Sequence, residues 1–552
     1  MLIVLLTVRS GAQQTPAAAQ KPSEARLLPG MGNVSHPVST RNPQAQEFFD
    51  QGLALVYGFN HDEAVRSFQA AADRDPKMAM AWWGIALAVG PNYNLPVDKE
   101  REAQAYAAIQ KALALSKSGP PIEHAYIEAL SRRYTDQPNG DYQKLEMAYH
   151  DAMRRVVKDY PDDLDAATLF AESGMNLRPW QLWNNDGTPA PGTDEIVATL
   201  ESVLQRDPSH IGANHYYIHA VEASPHPERA LASAQRLAAL APASGHLVHM
   251  PGHIYIRTGD HLASEKTNQA AARADENYIA LTHAQGVYPM MYYSHNLDFI
   301  VVENCMMGRY AEAAQAAKRL QAYVQPMGSG MPMVDTFLQK QILVLVRFQK
   351  WDEILKLPQP DTHLPLSTGM WNFARAQAFA NQRQIPLAQS ELAALNNTAP
   401  EIAKVPVNAV GLKNSGIIPK IAALIVEARI AQAQNDVATV IARLREAVAL
   451  QDSMDYNEPP DWFYPVRESL GAALLVNGVS GEAEKVFRKD LELNPRNPRS
   501  LFGLMLALQA QGASDDAIAV QQQYEAAWQG NDSLQLADLW GPAPANSKGV
   551  AK

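Results

Sequence analysis

One spacing, met twice, restricts the fold of this chain more than its composition does. Residues 45–76 read AQEFFDQGLALVYGFNHDEAVRSFQAAADRDP and set Gly52, Ala64, Phe68, Ala71 and Pro76 at successive intervals of 12, 4, 3 and 5 residues. Residues 464–495 read YPVRESLGAALLVNGVSGEAEKVFRKDLELNP and repeat the pattern with Gly471, Ala483, Phe487 and Pro495. Small residues belong where two helices of a hairpin cross closely, the Phe fills the space between them, and the Pro closes the unit at a turn. A repeat of this kind cannot bury its apolar face alone and must stack on its neighbours.

These intervals match the tetratricopeptide pattern of two antiparallel helices in about 34 residues. The chain resembles that family over most of residues 45–530, with weaker copies ending near Pro242, Pro400 and Asp452 and another following from about Pro498. The resemblance implies an all-α fold, a tetratricopeptide-repeat α-solenoid of about ten antiparallel helix pairs wound into a superhelix. Strand-period segments are almost absent, in agreement with it. Three Pro/Gly/Asn-rich stretches, 90–100, 175–195 and 395–416, interrupt the helical rhythm. Insertions of that length are more often functional or lid-like than idle.

The expected organisation follows. A signal peptide or linker covers 1–25, helix pairs 26–174, an insertion with a connecting helix 175–209, and a His-rich segment 210–325. Degenerate pairs occupy 326–450, a further pair 451–530, and a tail 531–552.

Composition narrows the function classes. Hydrophobic content of 47% is ample for a packed interior, and a net charge of -11 argues against a basic nucleic-acid footprint. The single cysteine, Cys305, excludes an intramolecular disulfide and thiolate-based zinc or iron–sulfur sites. Any metal must therefore be held by His and carboxylates. The run Leu2–Val8 followed by small and polar residues resembles a secretory signal without its basic n-region, so a periplasmic or secreted location is expected, and otherwise a cytoplasmic one. No later run reaches the length of a membrane span.

The histidines are unevenly placed. Ten of the 15 lie between His210 and His295, where an even spread would put about two. His215 and His219 are four apart, as are His249 and His253, with His246 a turn before. Residues four apart share one face of a helix. Aligned on Ala230, Gly259 and the stretch GRYAEAA, three consecutive repeats put His246 and His295 at their second place, His215 and His249 at the fifth, His219 and His253 at the ninth, and Glu222 at the twelfth. The family resemblance implies that these places face the concave groove. Pro251 lies inside the second of these helices and is expected to kink it.

Neutral imidazoles at this spacing present lone pairs to one point at metal-bonding reach. The expected ligands are His215, His219, His249 and His253, then His246 and His295; six imidazoles suffice for two ions about 3.5–4 Å apart. Glu222 either completes a two-His, one-carboxylate set or forms a cap or salt bridge between repeats. Copper, zinc and iron all suit such donors. Taken singly, His210, His226, His261 and His363 read as surface or turn residues, and Glu172 as a packed helix carboxylate. Tyr216, Tyr217, Tyr255, Tyr292 and Tyr293 read as core first, and Trp82 and Trp83 likewise. The stretch DYNEPPDWFYPVRESLG opens a helix, and it offers Glu458 or Arg467 to a substrate if the superhelix curls far enough.

H-E-x-x-H, G-x-S-x-G and G-x4-G-K-[ST] are all absent, which counts against a zinc peptidase, a serine hydrolase and a nucleotide hydrolase. Two functions remain. One is an exported solenoid whose concave groove holds a metal site, possessing oxidoreductase or hydrolase activity on a small molecule. The other is a scaffold binding a peptide or partner protein in that groove without catalysis. The block GHLVHMPGHIYIRTGD resembles one found in a bacterial exported subfamily of tetratricopeptide proteins with no assigned activity.

Overall fold

The structure is a computed structural model that describes residues 25–137, 140–328, 332–405 and 413–541. The expected signal segment, Leu2–Val8 included, lies outside the described residues, as does the end of the tail. Among the described residues there is no strand, only the isolated bridges Asn92–Leu95 and Trp183–Pro189. None of the described helices is long and apolar enough to cross a membrane.

Helices pair off in chain order, from Pro43–Tyr57 with His61–Arg74 to Pro498–Ala510 with Ser514–Ala527. Short connections between packed neighbours make them antiparallel. The spacing read from the sequence is a three-helix wedge. The Phe68 ring is fully buried between Gly52 and Gly84, and a Cβ on Gly52 would lie 2.6 Å from it, one on Gly84 closer still. Phe487 sits in the same way between Gly471 and Gly503. Each wedge joins a hairpin to the first helix of the next, so the repeat unit is the solenoid tetratricopeptide unit in structure as well as spacing.

The insertions at 90–100 and 175–195 fall between helices, Ala79–Val89 and Lys99–Leu115 in the first case, Leu164–Asn176 and Thr193–Arg206 in the second. The stretch 395–416 differs from expectation. Helix Ile385–Ile402 runs through Asn396, Asn397 and Pro400, at the cost of the one bond that an N–H at position 400 would have donated to the Asn396 carbonyl. Residues 406–412 of that stretch lie outside the described residues. Within the expected tail, Leu536–Trp540 forms a helix that buries Leu539 and Trp540.

The superhelix is tightly wound, and repeats far apart in sequence touch. Gly259 packs on the backbone of Pro495, Gly308 packs on the Trp528 ring, and Gln529 donates its backbone N–H to the Met307 carbonyl at 3.1 Å. Both glycines end helices at positive φ, +75° and +81°, where a side chain would be strained as well as obstructed. The inside of the superhelix is thereby filled.

Candidate metal centre

Three neighbouring hairpins supply the histidines. Helix Ile211–Val221 carries His215 and His219 and ends on Glu222; helices Gly245–His249 and Pro251–Thr258 carry His246, His249 and His253. The two latter helices meet at Met250, so Pro251 stands at the start of a helix and divides what the sequence reads as one. The helix Ser294–Met307 carries His295 and is preceded by a π-helical turn, Pro289–Tyr293. Such turns are rare and gather at functional sites.

The structure brings all six imidazoles and Glu222 together. His215 and His249 are 0% exposed and His246, the most exposed of the five buried rings, 2%; His295 is half-buried. Two groups of three, His215–His219–His246 and His249–His253–His295, each have ring nitrogens within 4.8 Å of one another. Between the groups, the His219 and His253 ring centroids are 5.6 Å apart.

The family resemblance put these residues on an open concave face, and here the structure departs from it. Phe59 covers one side, with ring centroids 4.5 Å from His215 and 5.4 Å from His246. Trp180 and Tyr93 lie against His219 at 5.7 and 5.2 Å. Glu458 arrives from the far repeats. The tight winding turns a groove into an interior.

Hydrogen bonds to the outer nitrogens decide where the lone pairs point. His215 Nδ1 donates to the Tyr57 carbonyl at 2.6 Å, which leaves Nε2 bare and 3.1 Å from His246 Nε2. His249 Nδ1 donates to Asn268 Oδ1 at 2.6 Å, and the orientation of that amide is set by its Nδ2, which donates to the Ser264 carbonyl at 2.9 Å. His249 Nε2 then faces His253 Nε2 at 2.7 Å. His219 Nδ1 donates to Glu222 Oε1 at 3.0 Å, and its Nε2 is buried without a partner. His253 Nδ1 lies 2.5 Å from Glu222 Oε2 and 3.0 Å from Glu458 Oε2. An acceptor on the outer nitrogen of a histidine is the usual support of a metal ligand, fixing tautomer and ring orientation.

Burial and mutual repulsion push the pKa values of His215, His246, His249 and His295 well below the ordinary histidine value. Neutral rings are what a metal requires. His253 is the exception. Burial acts downward on it too, but the carboxylates of Glu222 and Glu458 outweigh that and raise it. Glu222 is correspondingly lowered against its own burial, while burial raises Glu458.

A cavity of about 50 Å³ adjoins the cluster, bounded by His219, His246, His253, His295, Trp180 and Glu458. Lys340 and Asp298, paired at 2.9 Å, also line it, as does Tyr292, whose ring centroid is 4.5 Å from that of His246. That is room for a few waters or a molecule of similar size.

No family model matches this chain, and no curated protein matches it. Solved structures do resemble it. A monomeric mutant of IFIT1 with m7Gppp-AAAA is 10% identical, with 81% of this chain and 90% of that one covered and a TM-score of 0.36. The human IFIT1 dimer with m7Gppp-AAAA is 11% identical over 78% of this chain and 86% of that one, with a TM-score of 0.34. The P58(IPK) TPR domain is 11% identical over 85% and 99%, with a TM-score of 0.22. Likenesses this distant carry nothing about binding or activity.

Other sequence candidates lie elsewhere. Arg467 is held by Asp452, both bonds 2.6 Å, and does not reach the cavity. Glu172 packs beside Asn176 and Arg133. His226 and His363 are exposed, whereas His261 is buried against Glu303 at 2.6 Å and is not the surface residue its helix-start position suggests. His210 caps its helix by accepting from the Ala213 N–H at 3.1 Å. Asn268 and Phe59 escape sequence reading: Asn268 shares its helix only with His261, and Phe59 stands in the turn of the first repeat, far in sequence from the histidine segment.

Proposed function

We propose that the buried histidines are a metal centre, of one or two ions, and that the chain is a solenoid metalloprotein acting on a small molecule by oxidation or hydrolysis. The observation that carries this reading is the two head-to-head pairs of Nε2 atoms, His215 with His246 and His249 with His253. A hydrogen bond within such a pair needs one ring protonated on Nε2. For His246 that leaves Nδ1 as a bare buried nitrogen, and it has no partner. For His253 it leaves Nδ1 either bare against the carboxylates of Glu222 and Glu458 or protonated as a buried imidazolium. A metal ion in place of those protons removes both difficulties.

The donors are nitrogen with a carboxylate, which suits copper, zinc or iron. The size of the cavity supports a small molecule, and the burial of the rings disfavours a peptide lying on them. Glu458, raised by burial and within reach of His253, is suited to take up or return a proton at the cavity. Export to the periplasm or beyond belongs to the same proposal and rests on Leu2–Val8 alone.

Elemental analysis of purified protein, alongside His219→Ala and His253→Ala, tests the centre. Stoichiometric metal in the parent and its loss in both variants, with helical circular dichroism retained, is the expected result. Parent protein that contains no metal and takes up no zinc, copper or iron on titration would refute it and leave the scaffold reading.

A further inference from the structure

The second half of the solenoid encloses another polar site, built from different repeats. A cavity of about 30 Å³ has Glu468 and Asp538 on its wall and is lined as well by Arg347, Gln377, Arg429, Tyr464, Arg499 and Trp540. Each of these six carries a buried polar atom with no hydrogen-bond partner: the Nε atoms of the three arginines, Gln377 Nε2, the Tyr464 hydroxyl and Trp540 Nε1. All six atoms donate, and only the hydroxyl can also accept. Buried donors without acceptors are costly and rare in folded proteins.

Charge tells the same story. Arg347 is answered by Glu468, through Nη1 to Oε2 at 2.5 Å and Nη2 to Oε1 at 3.0 Å. Arg429 and Arg499, 8% and 3% exposed, have no carboxylate partner among the described residues. Their bonds go to neutral oxygens, Arg499 to the Asp538 carbonyl at 2.8 Å and Arg429 to the Trp540 carbonyl and to Gln432 Oε1 at 3.3 Å. Burial lowers Arg429 to about 9, and burial with the neighbouring Arg347 lowers Arg499 to about 10 against the opposing pull of Glu468 and Asp538. Guanidinium does not shed its proton in a protein, and three arginines against Glu468 and Asp538 leave one positive charge in the site unanswered.

We propose that this cavity binds a small inorganic anion, which fastens the helix Leu536–Trp540 to the inner wall of the solenoid. The helix already presents its carbonyls to that wall. Gln349 donates to the Ala537 and Asp538 carbonyls, both at 2.9 Å, and Ser469 to that of Leu539 at 3.2 Å. An anion accepting from the arginine Nε atoms and from Trp540 Nε1 ties the same helix to three separate hairpins. The site is independent of the histidine centre.

Thermal unfolding of the full chain tests the proposal, with EDTA present so that the histidines do not report. Chloride and phosphate are titrated separately into sodium HEPES at constant ionic strength. The expected result is a saturable rise in Tm with one or both anions, and at least a tenfold weaker midpoint in Trp540→Phe, which keeps the ring and deletes its donor. Arg429→Met is expected to lose the anion response while matching or exceeding the parent in anion-free buffer. A Tm that does not change with either anion at constant ionic strength would overturn the site. So would a response equal in the parent and Trp540→Phe, and the latter decides even if Arg429→Met fails to fold.

Discussion

Asn268→Ala is the sharpest perturbation of the histidine centre, because Asn268 is not itself a candidate ligand. Its Oδ1 accepts the His249 Nδ1 proton at 2.6 Å, its Nδ2 donates to the Ser264 carbonyl, and the side chain is fully buried. Gly252 leaves it room, since a Cβ there would lie 2.7 Å from Nδ2. Truncation strands a buried imidazole N–H, at a cost of about 1–3 kcal/mol, while the Ser264 carbonyl keeps the helical N–H of residue 268. It also frees His249 to turn or to change tautomer, and loss of such an outer partner weakens metal binding roughly 10–100-fold, or about 1.4–2.7 kcal/mol. Asn268→Asp keeps an acceptor for Nδ1 and should hold most of the affinity while losing the bond to Ser264. Calorimetric titration against a competing chelator measures the affinities, and unfolding of the metal-free proteins measures stability separately. If Asn268→Ala proves less stable yet binds metal as tightly as the parent, His249 is not a ligand and the reasoning from its Nδ1 bond fails.

Three further outcomes are expected. Gly84→Ala drives a methyl into the Phe68 ring and should cost about 1–3 kcal/mol in denaturant unfolding, with partial recovery in Gly84→Ala/Phe68→Leu; an unchanged midpoint would mean the wedge is slack. Burial, aided by Arg101, lowers His61 to about 4, so the unfolded chain takes up a proton below pH 6.5 that the folded one refuses. Stability should fall by about 3 kcal/mol between pH 6.5 and 4 on this account, and His61→Gln should flatten that slope. Cys305 is buried and its thiol pushed up to about 12, so a disulfide reagent should leave the native protein unmodified and label it fully once unfolded.

What could be read in advance was local. The Gly–Ala–Phe intervals encode a wedge made by helices adjacent in sequence, and the i, i+4 histidines share a face whatever lies opposite. What lay opposite was hidden, because it comes from great separation. The Tyr57 carbonyl meets His215 across 158 positions. Glu458 reaches His253 only because the last repeats fold back on the middle ones, a condition that the stretch DYNEPPDWFYP could suggest but not fix. Burial of His261 was masked for the same reason: its partner Glu303 sits on the next hairpin. The winding of a superhelix is a sum of small rotations between repeats. No single residue states it.

That winding bears on how the molecule comes into being. In an open array each module rests on its neighbours, and trimming one end shortens the object without harming the rest. Here Gly259 leans on Pro495 and Gly308 on Trp528. During synthesis all six imidazoles emerge well before Glu458 does, so the centre stays unfinished until the late hairpins dock. Completion of the chain, more than the order of its modules, is what assembles the pocket.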